Sequence, residues 1–422
     1  MMDSRLKGFK FSAEQAYTWF FICVMSSGLV RTLLYSVLSK VNLGRSYLFL
    51  TIFIMYFPII IVFFAQPAKE KIVNKELIIF IVSFIVIALY FAITLFIHPG
   101  YEEHYTKKYF GAYDAVFRPD NGAIFLLLAV LLCKNTERLR HNLKLAAPIL
   151  FVYLGYQYWQ YKTMGYWMVY DWQGDYVEQS YNLGFGYSAM FCSTVMLSLF
   201  MEEHKWWELI VAVASFILAI LGGSRGCVLT FMIFVFIYVC KKIEEVRFYK
   251  KIIIIAVMAV AFVLIYTNYN TILTKISGVN SRAISMFVEG TFTADNGRNE
   301  IYKLAIDAIK HVPFLGYGAY GDRQFIAPYF YWGYSHNIVL EFIIDFGWIF
   351  GVLFLGILFY LCVKAVIKAK GNQVAVIAIL IGANAKLFIS DSFWAYPYFW
   401  MLIGYITYIM YVDKKESNVQ RS

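Results

Sequence analysis

Apolar runs of about 20 residues recur along the whole chain, the length an α-helix needs to cross ~30 Å of hydrocarbon. Twelve such segments are read, at 17–38, 47–66, 76–97, 121–133, 143–161, 181–201, 207–223, 227–240, 252–268, 348–366, 373–390 and 394–412. Of these, 121–133 and 227–240 are short for a span. The runs are continuous and do not alternate over ~10 residues, so spanning helices are expected rather than strands. Composition agrees. Charged residues are 15% and hydrophobic residues 61%, whereas a soluble domain has about 25% charged residues. A soluble globular enzyme and a disordered chain are both excluded. The expected fold is an all-α polytopic membrane protein with about 12 transmembrane helices, residues 1–422 forming one transmembrane domain.

The formal net charge of +10 would suit a nucleic-acid partner if the cations were clustered. They sort by side instead. With the N-terminus placed in the cytoplasm, 22 of the 37 Lys and Arg fall in short segments on that side. Thirteen lie in longer segments on the other side, and Arg31 and Lys386 lie inside apolar runs. This follows the positive-inside rule. Both termini are therefore expected in the cytoplasm, with the lipid bilayer and not nucleic acid as partner. The first apolar run follows a basic stretch without a small-residue cleavage site, and so reads as a signal anchor. The six cysteines lie in or beside apolar runs without a CxxC. They read as packing residues rather than disulfides or metal ligands.

One external segment is large, 269–335. It carries Lys275, Arg282, Arg298, Lys303, Lys310 and Arg323. A cationic excess here runs against the sidedness bias and calls for its own reason, anionic ligands or phospholipid headgroups. Asp295-Asn296-Gly297 is a helix-start signal. Ile301, Leu304, Ala305, Ala308, Ile309 and Val312 then mark one face of an amphipathic helix, which either lies on the bilayer or caps a site. Its first turn would present Arg298 and free N–H groups to an anion. Pro313 ends it, and Gly316-Tyr317-Gly318 allows a tight turn that is weak as a phosphate loop. From His336 to Ile367 the chain is too long for one span. It reads as a short helix at 337–345, a break near Gly347, and a spanning helix at 348–366. His336 then starts a helix, with Glu341 and Asp345 placed to orient it or to stay solvated. Gly222-Gly223-Ser224-Arg225-Gly226 joins two spans at the same face, and Arg225 either snorkels or contacts phosphate through its planar fork. The other external histidines, His98, His104 and His311, read as surface groups. Asp171 and Asp175 read as a solvated loop, with a divalent cation or acceptor sugars as the alternative. The aromatics Tyr166, Trp167, Tyr170, Trp172 and Tyr176 suit either sugar stacking or an interfacial belt.

These residues resemble the O-antigen polymerase and O-antigen ligase superfamily in three ordered motifs. They are Gly223-Ser224-Arg225-Gly226; then Gly297-Arg298-Asn299-Glu300 with Pro313-Phe314-Leu315-Gly316-Tyr317-Gly318; then Ser335-His336-Asn337-Ile338-Val339-Leu340-Glu341 before Phe346-Gly347. The matching stretch is about 181–366; earlier spans agree only in hydropathy. The resemblance implies a GT-C-like, metal-independent glycosyltransferase without a cofactor, in the bacterial cytoplasmic (inner) membrane. Its donor and acceptor would be undecaprenyl-diphosphate-linked glycans, and a flippase and a chain-length regulator its protein partners. It implies that Arg225 and Arg298 engage the donor diphosphate and that His336 is the general base or orients the acceptor. Arg282 and Glu341 are further candidate substrate contacts, Arg282 without motif support. The chemistry fits: arginines stabilise a diphosphate leaving group, and a histidine takes the acceptor's proton.

An RX10G pattern found in some polymerases is absent, since Ile309 and Thr293 stand where glycine is due. A ligase differs from a polymerase in its acceptor, lipid A core. The Lys-, Ile-, Phe- and Tyr-rich composition points to a low-GC genome, and a cell without an outer membrane offers no such acceptor; the polymerase is favoured. A flippase would be expected to show repeat symmetry and charges inside the bundle; neither is prominent. A GT-C enzyme with a monophosphate donor commonly places metal-binding acids in its first external loop, and 39–46 has none.

Overall fold

The computed structural model describes residues 12–43, 46–65, 75–170, 176–179, 182–222, 226–245, 267, 297–330 and 333–411. The expected span at 252–268 and the larger part of the external segment lie outside the described residues. The chain is a helical, multi-pass membrane protein. Among the described residues three helices are long and apolar enough to cross a membrane alone: Lys75–Ile97, Leu183–Glu203 and Ile338–Lys368. At 1.5 Å per residue the first is roughly 34 Å long. Shorter apolar helices, such as Trp206–Leu221, pack beside them. The sole sheet among the described residues is an antiparallel hairpin, Trp167–Tyr170 with Tyr176–Gln179.

Two of the expected spans take another form. The run 17–38 is not one helix but two, Ala13–Met25 and Ser27–Leu38, and the chain bends there by 79°. The break sits at Ser26, whose hydroxyl takes the carbonyl of Ile22, the local competition by which serine bends helices. Arg31, beyond the bend, is paired with Asn121 at 2.8 Å and Asp120 at 3.7 Å. The run 121–133 forms the helix Phe125–Cys133, all nine residues of which are buried. It is roughly 13 Å long, too short to cross alone. Pro397–Tyr411, Ala13–Met25 and Lys75–Ile97 surround it, which is why it is apolar all round.

The helix predicted after Gly297 is Arg298–Lys310. Its face is not on the bilayer: Ile301, Ala305, Ala308 and Ile309 bury against Ile326, Ile343 and Ile344. The expected break also appears. Within Ile338–Lys368, Gly347 has φ 78° and ψ 168°, a conformation open essentially to glycine alone. Residues 338–346 thus form a short helix that ends where the long one begins. A Cβ at Gly347 would lie 2.2 Å from the Phe314 carbonyl oxygen, and one at Gly316 2.2 Å from that of Asp345. The turn 313–318 is therefore seated in the break. Helix Lys75–Ile97 reaches the same place, with Tyr90 Oη donating to the Asp345 carbonyl at 2.6 Å and Thr94 Oγ1 accepting from Ala319 N–H at 3.1 Å.

Candidate active site at the loop end of the bundle

His336 enters the short helix 338–346 between two clamps. Before it, the Ser335 N–H donates to Asp322 Oδ2 at 2.8 Å. After it, Asn337 caps the helix, accepting from Val339 N–H at 2.9 Å and donating to the Phe388 carbonyl at 3.2 Å. His336 itself has φ 54°, in the left-handed region that histidine enters more readily than most residues. Its side chain is buried, with Tyr334 4.1 Å away between ring centroids. Among the described residues its Nδ1 has no hydrogen-bond partner. Burial pushes the imidazole down to about 4; the Arg298 charge acts the same way, while Asp391 and Asp322 oppose it. The ring is therefore neutral at physiological pH and able to accept a proton.

Beneath His336 lies a cluster of buried charge. Asp322, Arg323, Glu341 and Asp345 are all at most 3% exposed. Arg323 Nη1 pairs with Asp322 Oδ1 and, at 2.9 Å, with Glu341 Oε1. Its guanidinium carbon stands 3.8 Å from the Tyr320 ring centroid. Glu341 also accepts from the Ser392 hydroxyl and from Phe393 N–H at 3.1 Å. Asp345 accepts from Gly321 N–H at 2.9 Å and Trp394 Nε1 at 2.7 Å. Two of the three carboxyls, Asp322 and Glu341, pair with the one guanidinium. The cluster ties three segments together: 320–323, helix 338–346 and the connection 389–396.

Several expected residues sit differently from their sequence reading. Glu341 and Asp345 are neither solvated nor hydrogen-bonded to His336; both oxygens of Glu341 are committed to Arg323, Ser392 and Phe393. The Gly316-Tyr317-Gly318 turn offers no phosphate cradle, because Tyr317 N–H and Gly318 N–H donate to the Ile344 and Asp345 carbonyls. His104 is not a surface group: it is half-buried, and burial and the Arg323 charge lower its pKa. His98 stacks on Tyr101, and His311 is exposed. Trp167 is buried against Tyr161 and Phe185, not offered to a sugar. Lys386 is not inside a helical span. It sits in the 3-10 turn Ala385–Phe388 and bonds Asp391 at 2.6 Å.

Arg298 is the first residue of its helix and half-buried; His336 and Tyr187 both feel its charge. Arg225, Arg282, Asp171 and Asp175 lie outside the described residues. Gly226, next to Arg225, is held here: a Cβ on it would meet the Tyr187 hydroxyl at 2.1 Å and Ile389 Cδ1 at 2.7 Å. The third motif and the flanks of the first and second thus meet at one end of the bundle. Sequence reading missed Asp322 and Arg323 as partners of the histidine segment. The available signal was Glu341 and Asp345, two acids one turn apart in an apolar run, a pattern that demands buried partners. Among the described residues no group of three His, Cys, Asp or Glu forms a metal ligand set.

Residues 210–355 match the Wzy_C family model, O-antigen ligase. With the geometry above, this defines the class: a helical membrane protein whose relatives are glycosyltransferase-like enzymes working on lipid-linked glycans. Through that segment the chain is similar to the O-antigen polymerase and ligase superfamily. No curated protein and no solved structure matches it.

Proposed function

We propose that the protein polymerises undecaprenyl-diphosphate-linked oligosaccharide repeat units at the outer face of the cytoplasmic membrane, as a GT-C-like, multi-pass glycosyltransferase. The loop 269–335 covers the site, and both termini lie in the cytoplasm. The observation that carries this reading is the neutral, buried His336 whose Nδ1 has no hydrogen-bond partner among the described residues, within the field of Arg298. In the reaction an acceptor hydroxyl attacks the anomeric carbon of the donor. Its proton passes to the His336 imidazole, the glycosidic C–O bond to the diphosphate breaks, and the bond's electron pair leaves with the diphosphate. Arg298 and Arg225 neutralise that developing charge without a metal. Donor binding also prepares the base. A diphosphate against Arg298 cancels the positive field that depresses His336, so the imidazole becomes a stronger base once the donor is in place.

The acceptor is a second lipid-linked repeat unit. The description of the matched family is O-antigen ligase; transfer to lipid A core, the ligase alternative, uses the same residues and differs only in that partner. The test is His336→Ala with membrane expression confirmed and cell-surface glycan length measured. Loss of long chains is expected; undiminished chains remove His336 from the mechanism. Reconstitution with each acceptor separates polymerase from ligase.

A further inference from the structure

We propose that a cavity next to this site binds one sugar ring of the acceptor glycan. The proposal rests on the glycosyl-transfer reading above and gives that site its acceptor pocket. The cavity, about 240 Å3, is bounded by the bend after Ala13–Met25, the residues before Phe125–Cys133, the first turn of Leu183–Glu203 and the connection 386–398. At ~30 Å3 per water it holds about eight waters, room on the scale of a single pyranose ring and too little for a folded chain or a long lipid tail.

Its wall argues for a neutral polyhydroxyl ligand. Lys386 and Asp391 neutralise each other at 2.6 Å. The Lys386 ammonium also stands 5.0 Å and 5.1 Å from the ring centroids of Tyr187 and Tyr396. Across the cavity, Asp120 is 1% exposed. Its Oδ1 accepts from Arg118 Nε at 2.6 Å. Its Oδ2 has no hydrogen-bond partner among the described residues, with Arg31 Nη1 only at 3.7 Å. A buried carboxylate oxygen without a hydrogen bond is costly, and a sugar hydroxyl in the cavity that Asp120 lines is the donor assigned to it here. Asn121 and Ser27 add polar groups beside it. With each cation already facing an acid, this wall does not suit a diphosphate. Asp391 lines the cavity and is also one of the charges acting on His336. The connection that brings Lys386 and Asp391 to the cavity is also bonded to the residue after His336, Asn337 donating to the Phe388 carbonyl at 3.2 Å, which links a ring held here to the site.

The test uses the purified full-length protein in nanodiscs and two probes. One is the oligosaccharide released by mild acid from the source cells' lipid-linked repeat unit; the other is inorganic pyrophosphate. Calorimetry is expected to show saccharide binding to the unaltered protein, weakened at least tenfold by Asn121→Leu and by Gly184→Leu, with pyrophosphate binding kept. Gly184 lines the cavity, and a Cβ there meets only Asn182 Oδ1, at 3.4 Å, so a side chain begins there without a backbone clash. Size-exclusion profiles check folding, and if one variant fails that check the other decides. Absence of saccharide binding, or equal binding in the folded variants, overturns the proposal. His336→Ala should keep saccharide binding within twofold. If that variant still polymerises, the transfer mechanism falls while the binding result stands.

Discussion

Arg323 and Glu341, 18 positions apart, form an ion pair of 2.9 Å that is almost wholly inside the protein. Two further carboxyls, Asp322 and Asp345, complete the cluster. Its connections run to Ser335 on one side and to Ser392 and Phe393 on the other. Arg323 is the only cation in it. Replacing Arg323 by Met strands several buried acids, a change that costs about 3–5 kcal/mol in such settings. The expected outcome is loss of thermal stability in detergent and loss of polymer. Adding Glu341→Met should recover part of the stability, because two charges leave together.

The pH dependence has a definite sign. His336 is held below its ordinary value, down to about 4, so its proton-accepting form persists into acid. The acid limb of kcat/KM in the reconstituted reaction should fall below pH 6.5 rather than at it. The same shift acts on stability. Between 6.5 and about 4 the unfolded chain holds a proton on this residue that the folded chain does not. His336 therefore contributes stability above 6.5 that is lost as pH falls through that window.

Removing the Arg298 charge tests the coupling separately. Since that charge lowers the His336 pKa, Arg298→Gln should move the acid limb up in the free enzyme and raise KM for the donor. Arg298→Lys should keep the pH profile and still raise KM, because an ammonium lacks the planar fork. A lysine variant with unchanged donor KM would count against diphosphate contact.

Glycine contrast supplies a structural check. Gly347→Ala places a Cβ 2.2 Å from the Phe314 carbonyl oxygen at φ 78°. It should abolish accumulation of folded protein, since such strain alone costs about 1–3 kcal/mol. Gly356→Ala, in the same element with open space around it, should be tolerated and gain up to about 1 kcal/mol. Fluorescence size-exclusion chromatography of the two variants decides.

Much of this arrangement was legible from residue order. The break at Gly347 followed from a run too long for one span, and the helix after Gly297 followed from its 3.6-residue periodicity. What order could not show is which polar groups meet. Asp322 and Arg323 look like ordinary loop charges until helix 338–346 is folded onto them. Lys386 looks embedded in an apolar run until the helix gives way to a 3-10 turn and Asp391 comes round to it. The first run bends by 79° at Ser26, where a side-chain hydrogen bond to the Ile22 carbonyl competes with the helix, and hydropathy does not register that competition. Periodicity reports burial, whereas pairing between distant charges is a property of the assembled fold.

The contacts of Tyr90 and Thr94 set a limit on how the chain can be divided. They belong to a helix more than a hundred residues before the matched segment 210–355, yet they bind the backbone of Asp345 and Ala319 at its far end. A fragment carrying that segment alone would leave both attachment points unfilled and expose the apolar seam beside them. The recognisable family segment is thus fastened at two points to a helix outside it, and a split protein is expected to need that helix supplied alongside.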